Sequence, residues 1–257
     1  MAECGVSGLA GARVLVTGGG KGIGAAVVRG FAQAGARLVI HCYQSRQTAE
    51  SLAQSIRDEG GDAHVVSGDL RLRGETERVV AEAVAVLGGL DVLVNNAGAM
   101  VGRKPLEEID DEFLDAVLDL NLRPVVHACR AAAAALSVTG GCIINVSSIS
   151  ARTGGSPGSS IYSAAKAFVS TFTRSLAREL ADRGVRVNAV SPGTVTTDFH
   201  REYSTPEKLE NTRRAIPLQR LGTAEDCVGS FLYLASPTLS GYVTGQVLEV
   251  NGGQLLA

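Results

Sequence analysis

The feature that most constrains the fold is a regular alternation of short, apolar, β-branched runs with longer segments of helical pattern. Parallel neighbouring strands need crossover connections, and the helical segments can supply them. The sequence therefore predicts an α/β fold, a doubly wound parallel sheet of the Rossmann type with about seven strands. We expect a single domain over residues 1–257. The predicted strands are Arg13–Thr17, Arg37–His41, His64–Val66, Leu90–Val94, Cys142–Val146, Arg186–Val190 and Val247–Val250, and the clearest helices are Ala25–Ala34, Thr48–Glu59, Glu75–Leu87 and Tyr162–Asp182.

The composition supports one sizeable core and excludes several kinds of partner. Of the 257 residues, 45% are hydrophobic and 19% charged, and the formal net charge is -2. Scattered cations and this small charge give no reason to expect nucleic acid. No run reaches membrane-spanning length, Met1–Ala12 lacks a signal-peptide pattern, and no histidines or cysteines have metal-ligand spacing. Five cysteines without close pairing are typical of a reducing compartment, so we expect a cytoplasmic protein with no metal and no membrane partner.

One stretch, Thr194–Gln219, has no clear period. It is polar and contains Pro206 and Pro217. Long irregular segments inside a domain are commonly functional. We predict a mobile insert around 194–219 that covers the substrate.

Glycines crowd the turn after the first predicted strand, at Gly18, Gly20, Gly22 and Gly24. A tight strand-to-helix turn explains them without a ligand. In this position, however, glycines also let backbone N–H groups and a helix N-terminus approach a pyrophosphate. No Gly-Lys-Ser/Thr ends the run, so it is not a P-loop. We interpret it as a nucleotide-binding turn.

Two further turns follow predicted strands, at Asn95–Gly98 and Asn145–Ser148. Each can be a simple solvated turn. Each can also line the carboxyl edge of the sheet, where a doubly wound fold holds its ligand.

Tyr162 and Lys166 are four positions apart in a predicted helix and so share one face. Such a pair is common on any helix surface. A neighbouring ammonium also stabilises a phenolate and lowers the tyrosine pKa, which suits proton transfer to or from an alcohol oxygen. The order of the glycine, Asn and Ser turns before this pair favours the catalytic interpretation.

From about Leu9 to Gly253 the sequence resembles the short-chain dehydrogenase/reductase family, which are single-domain NAD(P)-dependent oxidoreductases. The resemblance implies a catalytic tetrad of Asn121, Ser148, Tyr162 and Lys166. In it, Ser148 and Tyr162 hold the substrate oxygen, Lys166 lowers the tyrosine pKa and binds the nicotinamide ribose, and Asn121 anchors a proton-relaying water. The matching motifs are Thr17–Gly24, Asp69, Asn95–Gly98, Asn121, Ser147-Ser148, Tyr162 with Lys166, Ser191–Gly193 and Val250–Gly253.

The same resemblance implies a set of cofactor-binding residues. Asp69 is expected against the adenine, and Thr197 at the nicotinamide carboxamide. The full expected set is Gly18, Gly20, Lys21, Gly22, Ile23, Gly24, Cys42, Asp69, Leu70, Asn95, Ala97, Gly98, Tyr162, Lys166, Pro192, Gly193, Val195 and Thr197.

The sequence departs from the family pattern in one place. Thirteen residues separate Ser148 from Tyr162, where similar members usually have twelve. The extra residue falls within 151–158, and it leaves Ser147 and Ser150 as alternatives to Ser148.

Cofactor choice is predicted from the end of the second strand. Cys42 stands where NAD-preferring relatives carry an Asp for the ribose 2′-hydroxyl. Lys21 and Arg46 are cations in reach of a 2′-phosphate. We predict NADP(H), with NAD(H) as the alternative.

The predicted reaction is hydride transfer between the cofactor and a small-molecule secondary alcohol or ketone, either a hydroxy/keto acid or a sugar-derived substrate. Arg152 is a candidate for binding a carboxylate, although loop solvation explains it equally well, and His200 in the insert is a second substrate candidate. Two alternatives stay open: a 3-oxoacyl thioester (acyl-carrier-protein) reductase, and a non-catalytic nucleotide-sensing protein on the same fold. The family forms tetramers, and the apolar end Val247–Ala257 predicts a homotetramer.

Overall fold

The protein is described by a computed structural model over residues 8–256. The strands are β1 (Arg13–Val16), β2 (Arg37–Cys42), β3 (Asp62–Ser67), β4 (Val92–Asn95), β5 (Cys142–Val146), β6 (Arg186–Pro192) and β7 (Val247–Val250). The helices are α1 (Gly22–Gln33), α2 (Arg46–Asp58), α3 (Arg73–Leu87), α4 (Asp111–Asn121), α5 (Arg123–Thr139), α6 (Ser150–Thr153), α7 (Ser160–Glu179), α8 (Asp198–Tyr203), α9 (Pro206–Ala215), α10 (Ala224–Ala235) and α11 (Pro237–Ser240).

The strands form one 7-stranded parallel sheet in the order β3-β2-β1-β4-β5-β6-β7. This confirms the predicted doubly wound sheet. The chain winds outward in both directions from the β1–β4 pair, which is therefore the topological switch point. Ligands of such sheets bind in the crevice beyond the carboxyl ends of the strands at this point. The glycine turn follows β1 and the Asn turn follows β4, so the fold brings these two turns together.

Both faces of the sheet are covered by helices. Side chains alternate along a strand, so Val14 and Val16 enter one core while Leu15 enters the other. The first core packs against α1, α2 and α10, and the second against α3, α5 and α7. Because β1, β4 and β5 are buried on both faces, their carboxyl ends are fixed points on which a site can be built.

The stretch around 194–219, which has no clear period in the sequence, contains two helices, α8 and α9, and its role as a mobile cover stays a prediction. Helix α9 begins at Pro206, and the side chain of Thr205 accepts a hydrogen bond from the Lys208 N–H at 3.2 Å. No residue of α9 is buried, so the helix has no apolar stripe. The spacing of apolar residues therefore could not predict α9, although Thr205 followed by Pro206 is a pattern typical of a helix start.

The cysteines and the residues near the C-terminal end are relevant to the expected reducing compartment and to the expected assembly. Cys42, Cys129, Cys142 and Cys227 are buried and have free thiols. Near the C-terminal end, Leu248 and Leu256 are exposed. Within the part of the chain that the structure describes, no helix is both long and apolar enough to cross a membrane.

Candidate active site

A cavity of about 720 Å³ opens at the carboxyl edge of the sheet. Its wall contains the glycine turn, the segments after β2, β3, β4, β5 and β6, the start of α7, and parts of α8 and α9. The predicted switch-point crevice is thus a real cavity, and helices from the 194–219 stretch border it.

The glycine turn is fixed by its neighbours. Gly18 and Gly22 have φ of 62° and 55°, a conformation that glycine adopts without strain. A Cβ on Gly24 would lie 2.3 Å from the Gly18 carbonyl oxygen. The Gly18 N–H donates to Nδ1 of buried His41 at 3.1 Å, and the Asn96 carboxamide donates to the Gly18 carbonyl at 3.0 Å. Such an exposed-backbone turn at the start of α1 fits a dinucleotide pyrophosphate.

His41 is buried near the end of β2, and both of its ring nitrogens have partners. Nδ1 accepts from Gly18, and Nε2 lies 3.1 Å from the carbonyl of Gly68. Burial lowers its pKa, which keeps the ring neutral with one acceptor nitrogen. His41 therefore ties the end of β2 to the glycine turn.

Nearly all of the expected cofactor residues line the cavity, and the exceptions are Gly20 and Asn95. Gly20 faces the β2–α2 connection, since a Cβ there would lie 2.6 Å from the Ser45 hydroxyl. The buried carboxamide of Asn95 donates to the Asn145 side-chain oxygen at 2.9 Å and so links β4 to β5. These two residues therefore lie behind the cavity wall, and their expected contact with the cofactor stays a prediction.

Tyr162, Lys166 and Ser148 come together in the cavity wall. The lysine Nζ lies 5.8 Å from the centre of the tyrosine ring, one helical turn along α7, and donates to the Val146 carbonyl at 2.9 Å. Ser148, just beyond β5, lines the same wall, and its side chain partly offsets the burial that raises the pKa of Tyr162. The Ser148 hydroxyl and the Tyr162 phenol thus lie in the same part of the cavity wall, next to the Lys166 ammonium.

The alternatives to Ser148 have other contacts. Ser147 is buried and bonds the Lys166 carbonyl at 3.0 Å and the Ser170 hydroxyl at 2.7 Å. Ser150 donates to the Ser148 hydroxyl at 3.0 Å. The register after β5 therefore presents Ser148 to Tyr162, despite the extra residue downstream.

Burial dominates the titration of the pair. It raises the pKa of Tyr162 to about 12, partly offset by the hydrogen bond with Ser148, and it lowers the pKa of Lys166 to about 8. The expected lowering of the tyrosine pKa is thus outweighed by desolvation, which disfavours the charged form of either group. At neutral pH the phenol keeps its proton and is a hydrogen-bond donor.

Asn121 lies behind this group, at the end of α4, and is fully buried. Its carboxamide N–H groups donate to the carbonyls of Ala99 and Val117 at 2.8 and 3.0 Å. A Cβ on Gly98 would lie 2.8 Å from Asn121 Oδ1 and 3.2 Å from Lys166 Nζ. Only the bare backbone of Gly98 therefore separates the asparagine acceptor from the lysine ammonium.

The predicted substrate residues fare differently. Arg152 is exposed on the short helix α6 and does not line the cavity. The cavity wall therefore gives no support to a carboxylate contact at Arg152. The side chain of His200 lies outside the described part of the chain. The cavity wall instead carries Arg103 and Lys208, which have no motif in the sequence.

Arg46, which was expected within reach of a 2′-phosphate, does not line the cavity, and its Nε lies 3.9 Å from Glu50. Arg71 does line it, bonded to Asp69 at 2.6 Å and placed 5.3 Å from the centre of the Tyr43 ring. Lys21 in the glycine turn and Arg71 after β3 are thus cations of the cavity wall.

Known proteins resemble this chain in sequence and in fold. A family profile described as enoyl-(acyl carrier protein) reductase matches residues 18–254. A 3-oxoacyl-[acyl-carrier-protein] reductase of Synechocystis sp. is 36% identical over 247 residues, which is 94% of this chain and 96% of that protein. The solved structure of NADH-dependent reductase A1-R' complexed with NAD has a TM-score of 0.87 at 34% identity, covering 97% of this chain and 98% of that one. A short-chain dehydrogenase from Burkholderia cenocepacia in complex with NADP has a TM-score of 0.89 at 33% identity, covering 96% and 98%.

The sheet, the glycine turn and the Ser-Tyr-Lys group define a nicotinamide-dependent oxidoreductase. The chain belongs to the short-chain dehydrogenase/reductase family. Enzymatic activity with an NAD(P) cofactor follows from that membership, so the non-catalytic alternative is set aside.

Proposed function

We propose that the protein reversibly transfers a hydride between NADP(H) and a small ketone or secondary alcohol, with Tyr162 as proton donor and acceptor. The observation that carries this proposal is the grouping of Ser148, Tyr162 and Lys166 in one cavity wall beside the glycine turn. A phenol and a hydroxyl converging on one point suit a carbonyl oxygen, which accepts two hydrogen bonds.

The glycine turn and the Asn96–Gly98 backbone would hold the dinucleotide, and the nicotinamide supplies or accepts the hydride when bound. Ser148 and Tyr162 donate hydrogen bonds to the carbonyl oxygen and orient the carbonyl carbon. As negative charge develops on that oxygen, Tyr162 transfers its proton. Lys166 stabilises the resulting phenolate electrostatically, and Asn121 lies behind Lys166 to support proton return.

The preference for NADP(H) is supported by charge. Cys42 at the end of β2 offers no carboxylate to a ribose 2′-hydroxyl, while Lys21 and Arg71 line the same end of the cavity. Arg71 is partly neutralised by Asp69, which lowers the strength of this preference. Both kinds of cofactor occur among the similar structures, NAD in one and NADP in another.

A second candidate is reduction of a 3-oxoacyl thioester, favoured by the similar reductase of Synechocystis sp.. A test of both measures oxidation of NADPH and NADH with keto acids, sugars and 3-oxoacyl thioesters, and reduction of NADP+ and NAD+ with hydroxy acids. We expect turnover with small ketones and higher kcat/KM with NADPH. Turnover confined to thioesters would replace the first candidate by the second, and equal or better efficiency with NADH would refute the cofactor preference.

We also propose a cytoplasmic homotetramer. Four buried free thiols suit a reducing compartment, and exposed Leu248 and Leu256 leave apolar surface at the C-terminal end for a neighbouring subunit. Light scattering at micromolar concentration is expected to give the tetramer mass. A monomer would contradict the assembly.

A further inference from the structure

We propose that Arg103 and Lys208 form an anion-binding end of the cavity, called here the cationic pair, which selects substrates with a carboxylate. This inference rests on the proposed function, because the ketone of the same molecule must reach Tyr162. It assigns to the substrate cavity a role in choosing keto acids over neutral ketones.

Arg103 bridges two elements of the cavity wall. Its Nη1 donates to the Pro157 carbonyl at 3.2 Å, in the loop before α7, and its Nε donates to the Tyr203 carbonyl at 3.4 Å, at the end of α8. Both partners are neutral carbonyls. The guanidinium is therefore held in place while its positive charge stays uncompensated, as a carboxylate-binding fork requires.

Aromatic rings connect this position to the reacting group. The Tyr162 ring lies 5.8 Å from the Phe199 ring, and the Phe199 ring lies 5.2 Å from the Tyr203 ring. Arg103, bonded to the Tyr203 backbone, is thus two ring contacts away from Tyr162. Arg103 and Tyr162 line the same cavity, so an acid whose ketone lies at Tyr162 needs several carbons before its carboxylate to reach Arg103.

Lys208 supplies a second charge from α9, and it is half-buried in the same wall. Burial lowers its pKa first, and the positive charge of Arg103 lowers it further. Two cations that repel each other in a partly desolvated wall are stabilised by an anion between them.

The acidic groups of the same wall do not neutralise the cationic pair. Asp198 is 3.1 Å from Arg201, and the Glu202 side chain hydrogen-bonds that of Tyr203. Within residues 8–256, neither member of the cationic pair has a carboxylate at ion-pair distance. Neighbouring cations outside the cavity do have one: Lys104 pairs with Asp110 at 2.7 Å, and Arg214 pairs with Glu210 at 2.9 Å.

An anionic end can come from a small carboxylic acid or from a phosphate on the carrier arm of a thioester. The observations favour the carboxylate, because the cationic pair lines the same cavity as Tyr162, whereas a carrier phosphate is separated from its ketone by a long pantetheine chain. Thioester substrates therefore form a separate arm of the test.

The test compares oxo acids of graded chain length, in which the ketone lies progressively farther from the carboxylate, with their primary amides, which keep the ketone and remove the charge. The charge effect is expected for the acids long enough to reach both Tyr162 and the cationic pair. We expect Arg103→Gln and Lys208→Gln each to lower kcat/KM for the acids by about tenfold or more, mainly through KM, since a charge-assisted contact is lost. The amides should change by less than about twofold. Arg103→Lys should retain part of the preference, and the matched controls Lys104→Gln and Arg214→Gln should behave as the wild type.

A binding measurement separates this proposal from the proposed function. In Tyr162→Phe protein loaded with NADP, calorimetric titration of the oxo acid should show about tenfold weaker binding once Arg103→Gln is added. Equal losses for acids and amides, or a wild type that prefers amides or thioesters, would overturn the cationic pair and leave a reductase. Charge-dependent binding without turnover of any ketone would instead overturn the proposed function alone.

Discussion

The two ends of the cavity are built from different material. The cofactor end is formed by backbone: the turn after β1 and the segment after β4 lie so close that a Cβ on Gly24 would touch the Gly18 carbonyl, and Asn96 fixes that carbonyl by a hydrogen bond. The substrate end is formed by side chains of Arg103, Tyr203 and Lys208, which come from a loop and two short helices.

Because of this difference, we expect substitutions at the cofactor end to affect the stability of the fold, and substitutions at the substrate end to affect substrate specificity. Changes at the cofactor end alter the packing of a buried turn and so alter both folding and cofactor affinity. Changes at the substrate end remove exposed or half-buried groups and so alter which molecule is chosen. The following experiments test that division, starting with the largest effect.

Gly24→Ala should disrupt the cofactor end. The new methyl group would lie 2.3 Å from a backbone oxygen, so α1 must shift away from the turn. We expect a loss of at least about 2 kcal/mol in the free energy of unfolding, measured by urea denaturation, together with weaker cofactor binding. The control is Gly229→Ala on α10, where no atom lies within 4 Å, and a gain of about 0.5–1 kcal/mol is expected. Similar behaviour of the two variants would contradict the packing argument.

Lys166→Met should remove a pH dependence of stability. Because burial lowers the lysine pKa to about 8 from 10.5, the unfolded chain binds more protons between these values, and the stability of the wild type should rise with pH across that window. Below pH 8 the buried charge costs up to about 3 kcal/mol, so the methionine variant should be more stable at pH 7 by about 1–3 kcal/mol, after loss of the bond to Val146.

The measurement is the difference in unfolding free energy between wild type and Lys166→Met from pH 7 to pH 10. The buried cysteines and Tyr162 also titrate in alkali, but they are common to both proteins. A difference that stays constant with pH would show that the folded lysine has an ordinary pKa.

Arg71→Gln should sharpen the cofactor assignment by the smallest effect. We expect the Kd of NADPH to rise about three- to tenfold and that of NADH to stay within about twofold, because only a 2′-phosphate engages the guanidinium and the site is exposed. Arg46→Gln is the matched control, since Arg46 is outside the cavity wall. An equal change for both cofactors would show that Arg71 does not read the phosphate.

The cofactor end was also the part that sequence predicted best. Glycines are needed wherever backbone approaches backbone, so Gly18, Gly22 and Gly24 mark the turn directly. Tyr162 and Lys166 share a helix face at fixed spacing, which the fold preserves. Gly20 and Asn95 belong to the same motifs but contact the layer behind the cavity, which the motif spacing does not reveal.

The substrate end was largely invisible to the same reasoning. Arg103 lies in an irregular loop, and Lys208 on a helix without an apolar stripe, so neither belongs to a period or motif. Arg152 follows Ser148 by four residues in the sequence. Its position in space, however, depends on the short helix α6 and cannot be deduced from that separation alone. Contacts between such distant segments depend on tertiary structure.

The most direct measurement of the central claim is made on Tyr162→Phe, which removes one hydroxyl and leaves the ring. We expect turnover to fall at least about a hundredfold, because the general acid is lost, while the Kd of NADPH stays within about twofold of the wild type. That result would show that the cofactor end binds NADPH without the tyrosine hydroxyl, and that this hydroxyl transfers the proton. Near-normal turnover in a correctly folded variant would contradict the role of Tyr162 as proton donor and acceptor.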